Sequence, residues 1–142
     1  MAVFEEKIYA HTEGGIFQIT NDRRANIADF NQWQKLTVGF PSNYSSRIAC
    51  VFNQNYYFDI GDSTIFSLTN NQPQRVFADK DGVARSLTAD NAHLVLAMRC
   101  RSGAPCNSRV YYLDKNGQQV GFNQNCPGDV NNAIEDEKAD FG

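Results

Sequence analysis

The sequence has no uninterrupted apolar run of about 18 residues, so no membrane-spanning helix is expected. Its start, "MAVFEEKIYA", carries acidic residues where a secretory signal needs a basic segment followed by an apolar one. Positive charge is not in excess either. The 13 Lys and Arg against 16 Asp and Glu leave a net charge of -3 and a pI of about 5.3, which argues against a nucleic-acid partner. No Gly-rich phosphate loop and no Walker-type motif is present, and no stretch shows helical periodicity. The cysteines lack C-x2-C spacing, and the two histidines, His11 and His93, fall in separate segments, so no zinc site is expected. Neither a cofactor nor any other metal is called for.

What the chain does contain is a phrase written three times. "IFQITND" begins at Ile16, "IFSLTNN" at Ile65 and "VYYLDKN" at Val110, 49 and then 45 residues apart. Each copy reads apolar, aromatic, variable, Ile or Leu, then polar turn residues, which as a strand alternates faces and then turns. A period in the forties with several short strands per period is the signature of propeller blades built from four antiparallel strands. With 142 residues, 42% of them hydrophobic and 20% charged, the chain is one globular domain.

The blades are expected at about residues 1–32, 45–79 and 80–122, followed by a tail at 123–142. The last reads as strands "VARSLTAD", "HLVLAMRC", "SRVYYLD" and "QQVGF", with Asn116-Gly117 as a two-residue hairpin turn. The middle one reads as "RIACVF", "YYFDI", "TIFSLT" and "QRVFA". The first looks incomplete: "AVFEEKIYAH" pairs with "GIFQITND", "ANIADF" closes it, and a long connection bearing Trp33 follows. Two and a half to three blades cannot close a ring of about four to eight. The expected fold is therefore all-β, an open half-propeller-like stack of antiparallel sheets, whose exposed end the tail is placed to cover.

Cys100 and Cys106 flank the loop "RSGAP" and suit a disulfide across it, and Cys126 is in position to tether the tail to Cys50. Free buried thiols are the alternative, and four cysteines allow three pairings. Disulfides would favour the periplasm, with a signal peptide preceding this sequence; the cytoplasm is the alternative.

Catalytic readings are weak by sequence. Neither histidine has a nucleophile motif around it, and Asp59, Asp62, Asp79 and Asp81 have no fixed geometry for carboxylate chemistry. "DKDG", Asp79 to Gly82, resembles half a calcium loop but continues with Val83 in place of a third ligand. "YFDIGDST", Tyr57 to Thr64, resembles the Asp-box turn of sialidases without its opening Ser and closing Trp, and is read as a turn stabiliser. The acidic segment "EDEKAD" is read as a solvated terminus. Tyr56, Tyr57, Phe58, Tyr111 and Tyr112 must alternate faces, leaving some in the core and others available for contact.

The long loop from Cys100 to Ser108 stands out. A stapled projection is suited to binding because it avoids ordering costs of about 0.5 to 1.5 kcal/mol per side chain. Arg101, Ser102, Gly103, Ala104, Asn107 and Ser108 are the candidate partner-binding residues. Residues 80–120 resemble the central part of periplasmic immunity proteins that neutralise type VI-delivered peptidoglycan amidases, through Gly82-Val83, Ser102-Gly103, Leu113-Asp114 and "NCPGDV". That resemblance implies a loop that enters the amidase cleft, with Ser102 and Gly103 at its tip and Asn107 and Ser108 beside them. The cysteines around the loop depart from the family pattern. The expected function is a non-catalytic immunity protein that occludes the active site of a cognate bacterial effector. The alternatives are a cytoplasmic immunity protein against a nuclease, an oligomeric carbohydrate-binding propeller module using Trp33 and exposed tyrosines, and a hydrolase using Asp59 or Asp81.

Overall fold

The structure, a computed structural model, describes residues 1–101 and 108–126, with side chains described through residue 123. The chain is all-β. Among the described residues, twelve strands form three four-stranded antiparallel sheets, each a meander of consecutive strands. The first sheet holds β1 (Ala2–Phe4), β2 (Lys7–Thr12), β3 (Gly15–Thr20) and β4 (Gln34–Lys35). The second holds β5 (Ala49–Phe52), β6 (Asn55–Ile60), β7 (Thr64–Thr69) and β8 (Gln72–Ala78). The third holds β9 (Gly82–Ala89), β10 (Leu94–Cys100), β11 (Ser108–Leu113) and β12 (Gln119–Cys126). The repeated phrase falls on β3, β7 and β11, the third strand of every sheet.

All three sheets are complete, so the first unit is not the half blade expected from its sequence. "AVFEEKIYAH" is not one strand but two. Glu5 and Glu6 adopt φ of 49° and 64° and reverse the chain between β1 and β2, placing Val3 opposite Ile8. That conformation is the mirror-type hairpin turn normally given to Asn and Gly, so a Glu-Glu pair carries no turn signal. Asn53-Gln54 and Asn70-Asn71 make the equivalent turns in the second sheet. The closing strand is Gln34–Lys35, not "ANIADF", whose last residue instead opens a 3-10 turn at Phe30–Gln32 capped by Asp29. Asn116-Gly117 is likewise not a two-residue turn. Only Gly117 has positive φ, 78°, while the Asp114 carboxylate accepts from the backbone N–H of Asn116 and Gln118.

The sheets stack face to face as an open, propeller-like array. One core lies between the first and second sheets, built on Tyr9, Ile16, Leu36, Tyr44, Tyr56 and Phe58. The other lies between the second and third, where Phe52, Tyr57 and Ile65 meet Leu94, Leu96, Met98 and Leu113. The period of two along β6 sends Tyr56 and Phe58 to one core and Tyr57 to the other. A sheet covered on both faces explains why its strand carries three consecutive aromatics, each contributing about 1.5 to 3 kcal/mol by burial. Leu36, Phe40 and Tyr44 of the long connection drop back into the first core, and the Tyr44 hydroxyl donates to Leu36 O at 2.6 Å. Pro73 sits on β8, an edge strand where a missing N–H is tolerated.

Candidate functional site

The long loop leaves β10 at Arg101 and returns at Ser108, and both stems are fastened to neighbouring structure. Arg101 donates from Nη1 and Nη2 to the two oxygens of Asp62, at 3.1 and 2.9 Å, in a bidentate fork. It also donates from Nε to Lys80 O at 3.1 Å and from Nη2 to Ser63 Oγ. Asp62 belongs to the turn between β6 and β7, so this one side chain ties the outgoing stem to the middle sheet. The Arg101 bonds hold the Asp62 carboxyl below its ordinary range.

The returning stem is held by the residue that follows Ser108. Arg109 Nη1 lies 2.5 Å from Asp79 Oδ2, and the Tyr111 hydroxyl donates to the same oxygen at 2.5 Å. Burial alone would raise the Asp79 carboxyl, but the bonds from Tyr111 and Arg109 outweigh it and the net direction is downward. Burial, with Asp79 adding to it, pushes the Tyr111 phenol up to about 12. Asp79 is the first residue of "DKDG". Its carboxylate, offered by sequence as a calcium ligand, is filled by a guanidinium, a phenol and the Asp81 backbone N–H.

Of the partner-binding residues expected from the sequence, Arg101 is therefore engaged within the molecule while 43% of its side chain stays exposed. Ser108 is buried. Ser102, Gly103, Ala104 and Asn107 lie outside the described residues, as do Cys106, the Cys126 side chain, and the tail beyond residue 126 with its expected covering role. Cys100 is not a free thiol. Cys50 is free, so the expected tether from Cys50 to Cys126 is absent; its thiol is pushed up by burial.

A polar network buried between the first two sheets was not legible in the residue pattern. His11 Nδ1 lies 2.6 Å from Ser46 Oγ, Ser46 Oγ donates to Asp59 Oδ1 at 3.1 Å, and His11 Nε2 meets the Tyr56 hydroxyl. Asp59 Oδ1 also accepts from the backbone N–H of Arg47 and Ile48. Because the Ser46 proton goes to Asp59, Ser46 must accept from His11 Nδ1–H, and Nε2 must then accept from Tyr56. The protons thus run Tyr56 to His11 to Ser46 to Asp59. Burial, with help from the N-terminal ammonium, lowers the His11 pKa to about 4, consistent with this neutral tautomer. A hydrolytic serine would give its proton to histidine, whereas here the direction is reversed and Ser46 is fully enclosed. "YFDIGDST" is accordingly more than a stabiliser of its own turn. Asp59 fastens the entry to β5, and Asp62 reaches across to the third sheet.

Tyr56, Tyr57, Phe58, Tyr111 and Tyr112 are all buried, so the expectation that some face solvent is not met. Trp33 is half-buried and donates its indole N–H to Ile27 O at 3.0 Å. His93 is in the turn before β10, half-buried, edge-on to Tyr112.

A cleft of about 330 Å³ opens where the first strands of the sheets converge, β5 touching both β1 and β9. His11, Arg47 and Arg85 line it, and sequence reasoning passed over both arginines. Neither a protein-family model nor a curated protein matches the chain.

Proposed function

We propose that the protein is a non-catalytic binding protein that presents its 101–108 loop to a bacterial effector enzyme and blocks that enzyme's active site. The resemblance of residues 80–120 to immunity proteins of peptidoglycan amidases suggests a cell-wall amidase as the target and the periplasm as the place of action.

The observation that carries this reading is the fastening of both loop stems. Arg101 on one side and Arg109 on the other are each held by a carboxylate from outside their own hairpin, Asp62 and Asp79. A seven-residue connection on an unanchored hairpin would lose much of its binding energy to ordering; anchored stems reduce that loss. The Arg101–Asp62 pair is partly exposed and the Arg109–Asp79 pair is largely withdrawn from water, so the foot of the loop is held at two separate points.

The test is inhibition of a peptidoglycan amidase of the Cys-His class, with the double variant Ser102→Tyr, Gly103→Trp. Inhibition should fall at least tenfold while the melting temperature stays the same. Undiminished inhibition by the double variant would remove the loop from the mechanism, and no complex with any such enzyme would remove the immunity reading itself.

A further inference from the structure

The cleft between the converging strands has an unusual charge balance. Arg47 comes from the lead-in to β5 and Arg85 from β9, and among the described residues no carboxylate lines the space with them. This occurs in a chain whose net charge is -3, so the pairing of two cations is a local arrangement rather than an echo of composition.

Arg85 has an unmet requirement. Its Nε is buried and, among the described residues, has no hydrogen-bond partner, nor does any ion pair among them engage its guanidinium. A guanidinium N–H withdrawn from water without an acceptor is costly, and folded proteins seldom leave one so. Arg47 is exposed and lies in the electrostatic reach of Asp59 and Asp62 but pairs with neither. Asp62 is already bound by Arg101, and Asp59 is enclosed behind the backbone of residues 46–48. His11, neutral at ordinary pH, joins Ser86 and Thr88 on the polar side, while Ile48, Ala49 and Leu87 form a smaller apolar side.

We infer that this cleft is a carboxylate-binding site, taking an oxyanion between Arg47 and Arg85 with a short carbon body against Ile48 and Leu87. Planar guanidinium forks match a carboxylate, and the apolar wall favours an organic acid over a bare inorganic ion. The volume is at the small end of ligand pockets, which limits the occupant to a small acid or a single acidic side chain. This site is independent of the loop reading above and would stand if that reading fell.

Titration of the full chain at constant ionic strength tests it, with succinate as the small acid, N-acetylglutamate amide as the acidic side chain, and sodium chloride as the reference. Saturable binding by calorimetry, together with a shift of the Arg85 Nε resonance, is expected for at least one of the two acids. Binding by succinate alone assigns the site to small acids, and binding by the glutamate amide as well assigns it to side chains of a partner. Arg85→Gln should weaken binding about tenfold or more, the loss of one charged hydrogen bond. Arg47→Gln, on an exposed side chain that leaves folding intact, should do the same. No binding beyond chloride by either acid, or unchanged affinity in Arg47→Gln, overturns the assignment.

Discussion

Acid should loosen this fold through His11 before it reaches the carboxylates. The imidazole titrates near 6.5 when the chain is unfolded and at about 4 in the folded protein. The unfolded chain therefore binds the proton more readily throughout the interval between those values, and stability must fall as pH drops from about 7 to about 4. At about 1.4 kcal/mol per pH unit of difference, the loss approaches 3 kcal/mol, a substantial part of the ~5 to 15 kcal/mol that holds a typical domain. Asp59 acts in the opposite sense: burial raises its pKa, so its contribution is largest in acid and fades as pH rises. Asp62 and Asp79, both lowered, contribute fully above the ordinary carboxylate value and lose that contribution as pH falls from there through their folded values. The perturbation that isolates the imidazole is His11→Asn, whose amide can still donate to Ser46 but cannot titrate. Urea denaturation at fixed ionic strength, from pH 7.5 to 4, should show the wild type losing about 3 kcal/mol more than the variant. Parallel curves for the two proteins would refute the enclosed neutral imidazole.

Three further outcomes are expected. Gly117→Ala should cost about 1 to 3 kcal/mol in urea denaturation, because φ of 78° strains any side chain and the new Cβ would lie 2.6 Å from Val76 Cγ1. Asp79→Asn should cost about 1 to 3 kcal/mol and also shift the Tyr111 ultraviolet titration downward from about 12, since the charged acceptor is gone. Phe58→Ala, at a fully enclosed position between the first and second sheets, should cost about 3 to 5 kcal/mol in the same assay.

Local periodicity was the readable part of this fold. The three echoes at Ile16, Ile65 and Val110 locate the third strand of each sheet, and the strands of the second and third sheets follow their alternation within a residue or two. What escaped has a physical reason in each case. Glu5-Glu6 turns the chain by backbone conformation without a residue that advertises it, and two-residue β4 is too short to show any period. The consecutive aromatics of β6 look half exposed until a sheet is known to lie on either side. The site was less legible still. The loop is visible in length and composition, but its fastening joins residues 39 and 30 positions apart, and the His11 to Ser46 contact spans 35. Such pairings are consequences of how sheets stack, and no spacing rule encodes them.

A middle layer enclosed on both sides also constrains how this architecture can change. Its backbone amides should exchange with deuterium more slowly than those of either outer layer, because freeing them requires two separations instead of one. Lengthening or shortening by duplication is tolerable only at the outer members, where a new layer meets a single face. The central one has no latitude of that kind, and its sequence should drift the least.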